Sequence, residues 1–265
     1  MPRTVLFIAD RFSDHRMWTG ISDSLASDVD VIHLDQRIQL PWDGGASAIV
    51  NAARTVLPPD GVDVVVADGQ AVRFAVALAD AGLARSLVLF APDIPFDRIP
   101  DDVDLDLEPP PDDVLAAYAP LADAMTSADE EQWRELVVQV LRQTAPANIP
   151  QAEVDLAVAI ARDHAAEMRA QMLDFAAADS RERELPDEVQ LANLRARGQW
   201  IDQLAALTAP VMTVVPARGK FRAETMSRIA QRHEIVLTEP FNAMAPGGNR
   251  AQAAAAVQRM LDTTG

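Results

Sequence analysis

The chain has 265 residues, 49% of them hydrophobic and 24% charged, which is enough for a sizeable core in one large domain or two small ones. A formal net charge of −17 repels nucleic-acid phosphate and anionic lipid, so neither nucleic acid nor membrane is expected as a partner. The absence of cysteine excludes disulfides, thiolate metal ligands and a cysteine nucleophile.

The opening MPRTVLFIADRFSDHR holds an apolar run too short for a signal peptide, and no later run approaches the roughly 18 residues of a membrane span. The expected location is therefore the cytoplasm. Lys220 is the only lysine among the 23 basic residues, a bias that suits a GC-rich bacterial coding sequence. VLFIA (5–9) is a short apolar run of the kind that forms a buried strand. HRMWTGISDSLAS (15–27) spaces Met17, Trp18, Ile21 and Leu25 at helical intervals. VDVIHL (29–34) reads as a strand, ASAIVNAARTVL (46–57) as a helix stopped by Pro58 and Pro59, and VDVVVA (62–67) as a strongly β-branched strand. QAVRFAVALADAGL (70–83) is a helix and SLVLFAP (86–92) a fourth strand.

The rhythm stops between residues 93 and 207. DIPFDRIPDDVDLDLEPPPDD (93–113) is acidic and proline-rich, as a solvated linker would be. Four helical patterns follow: VLAAYAPLADAM, DEEQWRELVVQVLRQT, AEVDLAVAIARDHAAEMRAQMLDFAAA and EVQLANLRARGQWIDQLAAL. The alternation resumes with APVMTVV (209–215), ETMSRIAQRH (224–233), EIVLTE (234–239) and NRAQAAAAVQRMLD (249–262). Six strands alternating with helices imply a doubly wound, mostly parallel α/β sheet. The expected domains are a core of residues 1–92 and 208–265, and an acidic linker plus helical cap over 93–207.

This order of elements resembles the α/β-hydrolase fold with a helical cap, over nearly the whole chain. VLFIADRFSDHRMWTGISDSLASDVDVIHLDQR is similar to that family's opening, with Trp18 heading the first helix and Asp35-Gln36-Arg37 following the second strand. The resemblance implies a nucleophile elbow of the form small-x-nucleophile-x-small after 62–67, an acid after 209–215 and a histidine after the last strand. Those positions read otherwise. Ala67 and Ala71 match the small residues and place Gly69 at the nucleophile; shifting by one places Asp68 there, as in the dehalogenase and epoxide hydrolase branch, but sets Val66 and Gln70 where small residues belong. The oxyanion loop reads Ala9-Asp10, the acid position falls near Lys220, and the histidine position falls near Asn242 or Ala243. A serine hydroxyl needs a base and an orienting group, and an aspartate nucleophile still needs a base to activate water. The catalytic triad is thus expected to be lost.

Other chemistry is expected beyond the carboxyl ends of the strands, where doubly wound sheets hold ligands. Asp68 and His15 are the candidate pair for general acid–base work, although Asp68 is also placed as a helix cap. Asp10, Arg11, Trp18, Arg37, Gly69, Gln70, His164, Lys220 and Asn242 are candidate ligand-pocket residues. Backbone N–H groups at Gly69 and Gln70 can receive an anion or enolate. His33 reads as a satisfied core residue and His233 as the surface end of a helix. The cap's Tyr118, Met125, Trp133, Met168, Met172, Phe175 and Trp200 read as core. The scattered histidines give no metal constellation, no phosphate-binding glycine loop occurs, and no cofactor is expected. The leading reading is a non-hydrolytic enzyme (a lyase, isomerase or cyclase, with bacterial secondary metabolism as a setting it would suit) acting on a hydrophobic small molecule between core and cap. The alternatives are a non-catalytic ligand-binding pseudoenzyme and a hydrolase with Asp68 as nucleophile.

Overall fold

A computed structural model of the chain describes residues 3–9, 13–34, 46–92, 94, 112–145, 150–216, 220–238 and 250–264. The six apolar runs form β1 (Arg3–Ile8), β2 (Val29–Leu34), β3 (Val62–Asp68), β4 (Ala84–Phe90), β5 (Val211–Pro216) and β6 (His233–Thr238). They make one all-parallel sheet in the order β2-β1-β3-β4-β5-β6. Helices on both faces explain why the strands are apolar runs rather than alternations. Val64 to Ala67 and Leu87 to Phe90 are all fully buried.

On one face, Leu6, Ile8, Val65, Ala67, Leu87 and Leu89 join a core cluster with α2 (Ala46–Ala53), α3 (Val72–Asp80) and α8 (Gln199–Ala206). Met226 of α9 (Lys220–Ile229) completes it. On the other face α1 (Thr19–Ser22) and α10 (Arg250–Thr264) pack; Val257 and Leu261 of α10 are fully buried. The entry to β3 is tight. Gly61 has φ +75°, and a Cβ there would sit 2.5 Å from the Leu83 carbonyl oxygen. The Asp63 carboxylate beside it accepts from the Thr4 N–H at 2.8 Å and from Arg85 Nη1 at 2.8 Å, fixing β1 and β4 to β3.

The chain divides into two compact units, residues 1–105 with 198–265, and residues 106–197. The second holds α4 (Asp112–Ala124), α5 (Glu130–Thr144), α6 (Gln151–Arg183) and α7 (Asp187–Arg197). Asp129 caps α5, accepting from Gln132 N–H at 2.8 Å. Trp133 is fully buried and donates from Nε1 to the Ala165 carbonyl at 2.8 Å. Arg169 lies over the Trp133 ring and donates to the Met125 and Ala128 carbonyls at 2.9 and 2.5 Å.

Several boundaries differ from those read in the sequence, each for a local reason. The pattern 188–207 is two helices broken at Gly198, a poor helix former. The second of them carries Trp200, Ile201 and Leu204 into the sheet unit's core, so Trp200 is a core residue of the sheet unit and not of the cap. The pattern 15–27 is a 3-10 turn, His15–Trp18, followed by the single turn α1; Thr19, Gly20 and Ser22 give it little helical propensity. Helix α9 begins at Lys220, four residues earlier than its apolar spacing suggests. His233 is the first residue of β6, half-buried with both ring nitrogens enclosed, where a surface helix end was expected. Tyr118 is 45% exposed and is not core. Most of the acidic stretch 93–113 lies outside the described residues.

Candidate ligand site at the carboxyl ends of the strands

The sequel to β1 in the chain, β2, pairs on one side of it, while β3 pairs on the other. The winding direction therefore reverses between β1 and β3, and this is the switch point at which open α/β sheets form a crevice beyond the strand ends. The residues there are Ile8, the last of β1, with Ala9, and Asp68, the last of β3, with Gly69 and Gln70.

Asp68 ends β3 in extended backbone, φ −122° and ψ 148°. Gly69 follows with φ +51°, in the left-handed region that a residue without a Cβ enters at least cost. The turn Gly69–Ala71 then leads into α3. This is the sharp strand–turn–helix of a nucleophile elbow, and its apex is the glycine. Asp68 occupies the cap position of the turn, but its side chain accepts no hydrogen bond from it, so capping does not account for this aspartate. A second backbone irregularity flanks the site. Ala91, next after β4, has φ +39°, rare for a residue with a Cβ, and donates its N–H to the Val214 carbonyl at 3.1 Å.

Beside this crevice runs a file of rings. Phe90 meets Trp18 at 5.4 Å between centroids, Trp18 meets Phe7 at 5.4 Å, Phe7 stacks on His33 at 5.5 Å, and His33 meets His15 at 6.0 Å. Register explains it: Phe7 pairs with His33 across β1 and β2, so both rings leave the sheet on one face at one level. The turn His15–Trp18 drops its rings onto them. Asp14 holds that turn, capping the Arg16 N–H at 2.9 Å and pairing with the Arg16 guanidinium at 2.6 Å. Trp18 Nε1 and His33 Nδ1 are buried and, among the described residues, have no hydrogen-bond partner. His33 is thus not the satisfied core histidine expected from its strand. Burial pushes its pKa below the ordinary imidazole value; His15 acts in the same direction and Asp23 against it.

The structure places Asp68, Gly69, Gln70 and Trp18 at this end of the sheet, with exposed His15 at the outer end of the ring file. It joins His15 to His33, and no hydrogen bond or ion pair is described between His15 and Asp68. His164 lies on α6 of the helical unit, its side chain 14% exposed and Nδ1 3.5 Å from a Glu167 carboxylate oxygen. Asp10, Arg11, Arg37 and Asn242 lie outside the described residues, as does the side chain of Lys220. His33 was missed because the strand pattern alone makes it core; its register opposite Phe7 was the available signal. Among the described residues no group of three or more histidines and carboxylates is arranged to hold a metal, and no described helix is long and apolar enough to cross a membrane.

No family model matches the chain, and no curated protein matches it. Solved structures do. A haloalkane dehalogenase loop variant from Bradyrhizobium elkanii superposes with a TM-score of 0.63 at 18% identity, over 99% of this chain and 89% of that one. MenH from S. aureus gives 0.56 at 13%, over 100% and 95%. An AqdC variant, solved with the Pseudomonas quinolone signal whose ring it cleaves, gives 0.54 at 15%, over 99% and 92%.

Proposed function

We propose that this chain, which has the α/β-hydrolase fold, is a small-molecule enzyme that works by proton transfer without a covalent nucleophile. The observation that carries this reading is Gly69: the residue with the left-handed backbone of the elbow has no side chain to attack with. Asp68 is one residue short of the apex and in ordinary extended backbone, which weighs against the carboxylate-nucleophile alternative.

In this reading Asp68 takes a proton from a carbon next to a carbonyl. The C–H bond breaks, its electron pair moves onto the carbonyl oxygen, and the backbone N–H groups at the Gly69–Gln70 turn hold the resulting enolate. Return of the proton at another carbon gives an isomerase; departure of a β-leaving group gives a lyase. The fully buried ring file Phe90–Trp18–Phe7 backs the strand ends with apolar packing, which gives the candidate site a rigid, apolar support. The fold likeness to AqdC, a ring-cleaving protein, supports chemistry on a small cyclic substrate.

The test has two arms. Wild type, Asp68→Ala and Gly69→Ser are assayed on p-nitrophenyl esters; absence of turnover in all three supports an empty triad. Wild-type turnover that vanishes in Asp68→Ala restores the carboxylate nucleophile and overturns the proposal. In the second arm a panel of cyclic ketones and 1,3-dicarbonyls is incubated in D2O, and deuterium uptake at carbon is followed by NMR. Uptake that Asp68→Asn abolishes while binding persists marks the catalyst. Binding with no uptake by wild type marks the pseudoenzyme instead.

A further inference from the structure

The segment from Asp14 to Ser22 is two short turns in series, a 3-10 turn and then α1, and it covers the ends of β1 and β2. Its large apolar side chains are enclosed, Trp18 and Ile21 fully and Met17 nearly so. The polar atoms beneath it are poorly served. Trp18 Nε1 and His33 Nδ1 are both shut off from solvent without a partner among the described residues, a condition that native interiors seldom tolerate. One side of His33 is covered by Phe7, which is uncharged, and the segment approaches it through His15.

Among the described residues, few charged groups surround His33. The turn contributes His15 and Arg16, and Arg16 is bound by Asp14. The residue after α1 contributes Asp23, a carboxylate that favours a charged His33. Strand β1 contributes Phe7 alone at this level, since Arg3 lies at its far end, paired with Asp28 and Asp262. A proton on His33 would therefore sit in a half-buried position, against the Phe7 ring and beside the His15 ring.

We propose that His33 is an acid-released latch: while its imidazole is neutral, its ring contacts with Phe7 and His15 help hold the Asp14–Trp18 turn against the sheet, and protonation of His33 loosens that turn around Trp18. Burial and His15 hold the pKa of His33 down in the closed form. The opened segment returns it toward the ordinary value, so opening takes up a proton. Closure is fully favoured above about pH 6.5 and weakens as the pH falls below that. Trp18 packs on Phe7 and Phe90, beside the carboxyl ends of the strands, so the latch ties that packing to pH, whatever chemistry the site performs.

The deciding experiment is hydrogen–deuterium exchange on the whole chain at about pH 7.5 and about pH 5.5, either side of the imidazole range. Rates are corrected for intrinsic exchange, and peptides over β3 serve as the internal reference. Wild type should exchange several-fold faster across residues 13–22 at the lower pH, with β3 unchanged. His33→Phe keeps a ring on Phe7 but cannot take a proton, and should exchange equally at both pH values; His33→Gln should do the same if the larger ring perturbs packing. Unchanged wild-type exchange would overturn the latch. So would an acid response that survives in both variants, or one shared equally by β3.

Discussion

Strands β3 and β4 have helices on both faces, and from Val64 to Ala67 and from Leu87 to Phe90 every side chain is enclosed. In the helical unit burial is confined to stripes. On α5 the stripe is Trp133, Val137, Val138, Val140 and Leu141, and on α6 it is Val154, Ala157, Val158, Ile160, Ala161 and Ala165. Beyond Ala165 the described side chains of α6 are half-buried or exposed as far as Arg183. The sheet unit is thus held by enclosure in all directions. The helical unit rests on a narrower seam: past Ala165, Arg169 ties α6 to the Met125 and Ala128 carbonyls, and at exposed positions such as Ala170 the helix leans on local propensity, Ala, Glu, Met, Arg and Gln being strong formers.

If that contrast is right, large-to-small changes should cost most at the two interiors. Phe74→Ala in the sheet unit and Trp133→Ala in the helical unit should each cost about 3–5 kcal/mol. Denaturant unfolding followed by circular dichroism reads both, and separate transitions moved by separate variants would sharpen the contrast to two independently folding units. Gly61→Ala comes next, at about 1–3 kcal/mol, because the new Cβ meets the Leu83 carbonyl in a backbone that already has φ +75°. A neutral result in thermal unfolding would show that the turn before β3 yields more than its enclosure implies. Asp129→Ala removes the cap of α5 and should cost about 1 kcal/mol, restored by Asp129→Ser. Exposed Ala170→Gly in the outer half of α6 should cost about 0.8–1 kcal/mol. A much larger loss there would break the comparison, by revealing tertiary support at a position that leans on local propensity.

The inner strands were legible because burial on both faces makes each a largely apolar run, as in VDVVVA and SLVLF, while the edge strands β2 and β6 keep polar residues such as Asp30 and Glu234 and were read from their β-branched and apolar residues. Helix ends were less legible. Gly198 divides one amphipathic pattern into helices of different units, and periodicity cannot tell which core an apolar stripe will join. At the site, the sequence showed Asp68 and the small residues around Gly69. The φ that marks Gly69 as the apex is a tertiary fact, as is the strain at Ala91. The partnership of His15 with His33 was hidden because it depends on strand register, which brings Phe7 level with His33 although they are far apart in the chain.

The pairing of β4 with β5 sets Leu87 beside Val211, with the helical unit lying between them in the chain. A loop of that length closes at an entropic cost that falls if the inserted segment is already compact. During synthesis β1 to β4 emerge together, and their mutual pairing requires nothing that follows. Strand β4 must then wait. Until Val211 to Val214 arrive, Leu87, Val88, Leu89 and Phe90 form an unpaired apolar edge, the kind of surface that recruits a second chain. Folding yield should therefore depend on how quickly the helical insertion compacts, and lesions inside the helical unit such as Trp133→Ala should surface first as aggregation.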